Sequence, residues 1–150
     1  PGHHDGGTLR TITTEIAIAA PPDRVWETLL DFAAYGAWNP FVTSLSGDPA
    51  VGGRLEATIE PPDGKPMRFR PTVTAHEPER LLQWLGSVGV RGVIDGRHSF
   101  RLSPTEHGTR FEHREDFTGL LSFLMSGNRR DQTEAGIEAM NRAHKPRCES

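Results

Sequence analysis

Hydrophobic and polar residues alternate along residues 11–19, which predicts a β-strand with one apolar face. The spacing changes directly afterwards. The two prolines and the aspartate of residues 21–23 are typical of a helix start, and the apolar side chains of residues 25–30 follow at the spacing of one helix face. A second short helical segment is predicted over residues 32–38, because Pro40 closes it.

The pattern then returns to short runs that are typical of strands, separated by turns rich in Gly, Pro and Asp. Residues 120–147 lack alternation and carry Ile137, Met140 and His144 at helical steps, so they predict a long terminal helix. The Gly-Asn pair at residues 127–128 is expected to interrupt or kink this helix. The six strand-like runs are residues 41–46, 54–60, 67–76, 81–87, 96–102 and 109–117.

The predicted order of elements is therefore a strand, two short helices, about six further strands and a long C-terminal helix. Consecutive strands joined by short turns predict an antiparallel sheet. The apolar face of such a sheet needs a cover, and the terminal helix is the only long element that can supply it. The sequence thus predicts an α+β fold with an antiparallel sheet of about six to seven strands.

Composition indicates one ordinary globular domain. The chain has 150 residues, 35% hydrophobic and 25% charged, and we expect residues 8–148 to form a single domain after a flexible lead-in or cloning remnant at residues 1–7. A net charge of -3 argues against a nucleic-acid-binding module. The only cysteine, Cys148, excludes an internal disulfide. The longest apolar stretch, residues 16–22, is too short to span a membrane, and no secretory signal pattern opens the chain, so a cytoplasmic location is expected.

Three ionisable residues fall on otherwise apolar inward faces of the last two strands: His98, His113 and Glu115. Polar groups there are unfavourable unless they are hydrogen-bonded or solvated. Three interpretations stay open: a satisfied buried network that fixes strand register, a polar anchor for a ligand, or a catalytic acid–base or metal site. The chain has no nucleophile elbow, phosphate-binding glycine loop, dinucleotide fingerprint or His-Glu-x-x-His motif, so no particular reaction is indicated.

The inward-facing aromatic residues either pack in the core or line an apolar pocket. If a pocket exists, its candidate ligand-binding residues are Trp38, Phe41, Phe69, Trp84, His98, Phe100, Phe111, His113, Glu115, Ile137 and Met140.

The last two strands are joined by a short polar loop and predict an antiparallel hairpin. With Leu102 opposite Thr109, His98 would face His113, and Glu115 would lie one diagonal step from His98. The two imidazoles would then lie side by side on the inner face, where at least one should be uncharged.

The layout and several segments resemble the helix-grip (START-like, SRPBCC) superfamily, and most of all its small bacterial polyketide cyclase/dehydrase-like proteins. The resemblance implies a curved sheet that wraps around the terminal helix and leaves a space between them. The similar small members are generally free of metal, so neither a metal nor another cofactor is expected. The segments that carry the resemblance are residues 20–27, 31–35, 38–41, 52–53, 96–100, 111–117 and 138–141.

The resemblance implies a carrier or binding domain for a small hydrophobic or amphipathic molecule of the lipid, isoprenoid or polyketide type. One alternative is a polyketide cyclase or dehydratase that uses His98, His113 and Glu115 as acid–base groups. A second alternative is a protein-interaction domain whose cavity is filled. The entrance of an open cavity is predicted between the terminal helix and the loops at residues 36–40 and 88–95, with Gly127 helping to gate it.

Overall fold

The computed structural model describes residues 10–150, so the predicted lead-in at residues 1–7 lies outside the described residues. Eight strands and three α-helices follow one another within this range, with short 3-10 turns at Phe32–Ala34 and Ser122–Leu124. The elements are β1 (Thr11–Ile18), α1 (Pro22–Leu30), α2 (Tyr35–Trp38), β2 (Val42–Gly47), β3 (Leu55–Ile59), β4 (Met67–Phe69), β5 (Thr72–Glu77), β6 (Leu81–Val88), β7 (Ile94–Thr105), β8 (Gly108–Thr118) and α3 (Asn128–Glu149).

The strands form two antiparallel sheets that meet along one seam. Five strands pair in the order β1-β8-β7-β6-β5, and three pair in the order β2-β3-β4. At the seam, the backbone N–H of Leu55 donates to the Pro71 carbonyl at 2.8 Å, and Gly52 donates to the Val73 carbonyl at 2.8 Å. The long helix α3 packs against β1. The predicted α+β helix-grip fold is confirmed.

Two boundaries differ from the sequence prediction. The predicted strand at residues 67–76 is divided into β4 and β5, which belong to different sheets, because Pro71 lacks a backbone N–H. The terminal helix begins at Asn128 rather than at residue 120, directly after Gly127 with φ of 59°. The backbone N–H groups of Leu120 and Leu121 instead donate to carbonyls of the loop between β6 and β7.

The core lies between α3 and the inner faces of the sheets. Ile137 and Met140 of α3 are fully buried there. A methyl group at Gly136 would overlap the ring of Phe41, so the helix approaches this ring closely only because that position has no side chain. Within residues 10–150, no helix is long and apolar enough to cross a membrane.

Candidate ligand cavity

A cavity of about 380 Å³ lies between the two sheets and the first turns of α3. This volume falls within the range of about 300–1,000 Å³ that is usual for small-molecule sites. Side chains from both sheets contribute to the wall, and most of them are apolar. The apolar lining residues are Phe41, Ala57, Ile59, Pro61, Met67, Phe69, Pro71, Trp84, Val88, Ile94, Phe117 and Met125.

Two buried polar side chains, those of His98 and Glu115, also line the cavity, with 5% and 11% of their side-chain surfaces exposed. Lys65 and Arg129 line it as well, but both are exposed and therefore mark its open end. The exposed lining residues place the opening between the loop joining β3 to β4, the end of β6 and the start of α3. An apolar chamber with a polar pair inside and cations at the opening suits a molecule that is mostly apolar.

The polar pair is the end of a buried hydrogen-bonded chain. Glu115 Oε1 lies 2.7 Å from His98 Nδ1, and the Nε2 atoms of His98 and His113 are in close hydrogen-bond contact. His113 Nδ1 lies 3.0 Å from Asn141 Oδ1. The Asn141 amide donates to Thr14 Oγ1 at 2.8 Å, and that hydroxyl donates to the His113 carbonyl at 3.1 Å. The chain therefore links the cavity wall to α3 and β1.

Strand pairing sets the geometry of this chain, and the predicted register is wrong by two residues. His98 on β7 faces Glu115 on β8, whereas the prediction placed His113 opposite it. The strands continue to a two-residue turn at residues 106–107. Gly108 follows it with a φ of 149°, and a side chain there would collide with backbone atoms of β1 and the residues just after it, so this position requires glycine. A shift by two keeps every side chain on its face, so the three ionisable groups remain inside.

The histidine in the middle of the chain is neutral. Burial lowers the pKa of His113 well below its ordinary value, and the neighbouring His98 acts in the same direction. The hydrogen bond with Asn141 opposes this shift but is the smaller effect. His113 therefore acts at neutral pH as one donor and one acceptor within the chain.

The structure divides the predicted ligand-binding residues into two groups. Phe41, Phe69, Trp84, His98 and Glu115 lie on the cavity wall. The others do not line it: Phe100, Phe111, Ile137 and Met140 are buried in the packed core, His113 lies behind His98, and Trp38 is half-buried against α3.

The predicted entrance at residues 36–40 is wrong, because none of them contributes to the lining. Trp38 instead stacks on His144 of α3, with ring centroids 5.2 Å apart and an interplanar angle of 16°. Val88 and Ile94, at the two ends of the other predicted loop, do line the cavity.

His144 of α3 is fully buried but does not join the hydrogen-bonded chain. Its ring contacts Phe111 edge to face at 4.7 Å, and neither ring nitrogen has a hydrogen-bond partner among residues 10–150. Burial lowers the pKa of His144 to about 4, so the ring is neutral at pH 7. The packing of His144 is that of an aromatic core residue.

The sequence did not reveal two members of the buried hydrogen-bonded chain, Thr14 and Asn141. Asn141 lies four residues after Ile137 and three before His144, so it falls on the buried face of α3. A polar residue on a buried helix face needs a hydrogen-bond partner, and this requirement could have indicated that Asn141 belongs to a buried hydrogen-bond network. Thr14 falls on the same face of β1 as the inward isoleucines, and threonine is common in strands, so its hydroxyl did not indicate a buried hydrogen-bond network. Within residues 10–150, no group of three His, Cys, Asp or Glu side chains is arranged to hold a metal ion.

The family model for polyketide cyclase / dehydrase and lipid transport proteins matches residues 10–145 of the chain. A search of curated proteins found no match. Among solved structures, protein CV1439 from Chromobacterium violaceum is similar with a TM-score of 0.71 and 16% identity, covering 95% of this chain and 99% of that one. TTHA0849 from Thermus thermophilus is similar with a TM-score of 0.74 and 17% identity, covering 92% and 96%.

A third similar structure is the di-domain ARO/CYC StfQ from the steffimycin biosynthetic pathway, with a TM-score of 0.72 and 17% identity. The match covers 93% of this chain but 50% of StfQ, so the chain spans about half of that protein. At these identities the likeness establishes a shared fold.

Proposed function

Because the chain belongs to the polyketide cyclase / dehydrase and lipid transport family, we propose that it binds a small hydrophobic or amphipathic molecule in the cavity between its sheets and α3. The observation that carries this proposal is the cavity of about 380 Å³ with apolar walls and one buried polar pair. The apolar walls favour transfer of a ligand from water, and the polar pair favours one orientation of it. Lipid, isoprenoid or polyketide-like compounds have this chemistry.

The size of the cavity argues against the protein-interaction alternative, which needs a chamber filled by side chains. Ala57 and Gly86 lie on the wall where larger residues would fill the space. Close packing is the rule in protein interiors, so an unfilled space of this volume favours an occupant.

The test is native mass spectrometry of the purified protein, followed by titration with the neutral dye N-phenyl-1-naphthylamine. We expect a co-purifying small molecule, or dye fluorescence that rises on binding. Ala57→Phe places a ring in the cavity and should abolish both signals. Ala135→Phe makes the same change at an exposed position of α3 and should preserve them. A wild-type protein that carries no adduct and binds no dye, or an Ala57→Phe variant that binds like wild type, would contradict the proposal.

A second candidate function is a cyclase- or dehydratase-type enzyme. It is favoured by one observation, the contact of 2.7 Å between His98 and Glu115 on the cavity wall. A carboxylate paired with a histidine can accept a proton from the carbon next to a carbonyl. Exchange of the α-protons of 2-tetralone in D2O, followed by NMR, tests this activity. Loss of exchange in Glu115→Gln supports the enzyme, whereas exchange no faster than buffer in the wild type contradicts it.

A further inference from the structure

Glu115 Oε2 is the atom through which the buried chain can contact a ligand. Its partner oxygen Oε1 is held by His98 at 2.7 Å, and both ring nitrogens of His98 are occupied, one by Glu115 and one by His113. No hydrogen bond from residues 10–150 reaches Oε2. A Cβ added at Gly96 would lie 2.6 Å from Oε2, and Gly96 and Glu115 both line the cavity. The carboxylate oxygen therefore lies over a position kept clear by a glycine.

The hydrogen bonds of the chain decide which atoms carry protons. The Thr14 hydroxyl donates to a carbonyl, so it accepts from the Asn141 amide, and Asn141 Oδ1 then faces His113. His113 Nδ1 must carry a proton to bond that oxygen. Because His113 is neutral, its Nε2 is an acceptor, and His98 Nε2 donates to it. One further proton lies between His98 Nδ1 and Glu115 Oε1.

Oε2 is an acceptor wherever that last proton lies. If the proton is on His98, Glu115 is a carboxylate with two acceptor oxygens. If the proton is on Oε1, Oε2 is the carbonyl oxygen of the acid and again only accepts. Reversing the Asn141 amide would make the Thr14 hydroxyl donate to Asn141 instead of the His113 carbonyl, and His98 would carry its proton on Nδ1 and donate to Oε1. Oε2 of the Glu115 carboxylate would still be an acceptor.

We infer that Glu115 Oε2 is the specificity-determining atom of the cavity and that it selects a ligand whose polar end is a hydroxyl. An ether or carbonyl oxygen at this place would face an acceptor with no proton between them, which is unfavourable in a buried site. His98 is a positioning residue, since its own nitrogens are engaged within the chain. This inference rests on the proposed function, because it concerns the ligand of the same cavity.

The experiment compares two probes with the same ring system, 2-naphthol, which ends in a hydroxyl, and 2-methoxynaphthalene, which ends in a methyl ether, by calorimetric titration of the full chain. The ratio of their dissociation constants is measured in the wild type and in Glu115→Gln, Gly96→Ala and Gly86→Ala. Gly96→Ala keeps the carboxylate but puts a methyl group 2.6 Å from the position of Oε2, so this oxygen must move away from it. Gly86, paired with Gly96 across the sheet, is the matched control, because a Cβ there meets Pro71 at an ordinary 3.5 Å.

We expect the wild type to prefer 2-naphthol by about tenfold or more, as for a hydrogen bond to a charged group. The preference should fall about threefold or more in Glu115→Gln, whose amide oxygen is a weaker acceptor, and disappear in Gly96→Ala. Gly86→Ala should bind both probes less well by the same factor and keep the ratio. Equal affinity of the wild type for the two probes, or a preference that survives in Gly96→Ala, would overturn the inference while the proposed function stands. Failure of both probes to bind would overturn the inference, and the proposed function with it if N-phenyl-1-naphthylamine also fails to bind.

Discussion

Phe100 and Trp84 are neighbouring aromatic residues that should respond differently to truncation, because only Trp84 lines the cavity. Their ring centroids lie 5.2 Å apart, and both side chains are buried, Phe100 completely and Trp84 with 4% of its surface exposed. Phe100 also packs against His113 at 4.6 Å and Phe111 at 5.9 Å. Phe100→Ala therefore opens a new void within close-packed rings, whereas Trp84→Ala enlarges a space that already exists.

The expected losses follow from this difference. Phe100→Ala should lower the free energy of unfolding by about 3–5 kcal/mol, the usual range for a large aromatic residue in a packed core. Since each kcal/mol lowers Tm by about 2–4 °C in a domain of this size, Tm should fall by about 6–20 °C. Trp84→Ala should lower the free energy of unfolding by less than about 3 kcal/mol, because the space left by the indole adds to a cavity that Trp84 already lines. It should nevertheless weaken binding of N-phenyl-1-naphthylamine.

Urea unfolding followed by circular dichroism measures both variants, since this signal does not depend on the removed indole. Unchanged urea slopes would show that the unfolding reaction is still the same. Equal losses of stability would refute the reasoning, because Trp84 would then be a core residue rather than a wall of a ligand site. Intact dye binding in a stable Trp84→Ala variant would refute its role in the site.

Three further changes test the packing and the buried chain. Gly136→Ala should lower the free energy of unfolding by about 1–3 kcal/mol in urea titrations despite the better helix propensity of alanine, because the methyl overlaps Phe41, and unchanged stability would contradict this close approach. Asn141→Leu should lower the free energy of unfolding by about 1–3 kcal/mol in the same assay, because it leaves the His113 donor unpaired. An unchanged free energy of unfolding would contradict the hydrogen bond between Asn141 and His113. His144→Leu should be neutral or stabilising at pH 7, because the imidazole nitrogens make no hydrogen bond within the described part of the chain. The pKa of His144 is about 4 in the folded protein and about 6.5 in the unfolded chain. The free energy of unfolding therefore falls by about 3 kcal/mol for this residue as the pH drops from 6.5 towards 4. His144→Leu should remove that part of the pH dependence.

The fold was predictable because its signals are local and repeated. Alternation in residues 11–19 and the helix start at residues 21–23 each depend on side-chain spacing within a few residues, and both agree with the structure. The interruption of the terminal helix at the Gly-Asn pair of residues 127–128 was also predicted, but local spacing did not show that residues 120–127 lie outside the helix. Residues 120–127 are apolar enough to suggest a helix, but the backbone N–H groups of Leu120 and Leu121 donate to the distant loop after β6, and such a partner leaves no trace in local spacing.

The candidate site was predictable by face but not by partner. The alternation of side chains along a strand keeps His98 and Glu115 on the inner face under any register shift of an even number of residues. Which of them meet is decided by the length of the turn, where Pro104 suggested a longer loop than the two-residue turn at residues 106–107. The contact of Asn141 with His113 spans 28 residues and depends on where α3 crosses the sheet, a tertiary relation that spacing does not encode.

The cavity also determines how this protein can evolve. Dry cavities in packed cores lower stability by about 24 cal/mol per Å³. On that scale, 380 Å³ of space corresponds to about 9 kcal/mol, as much as the whole stability of many domains. Water at the open end reduces this free-energy cost but does not reverse its sign. Larger side chains at Ala57 or Gly86 would therefore make the domain more stable and less able to hold a ligand. These small residues on the wall are therefore positions where selection for thermal robustness and selection for ligand capacity oppose each other.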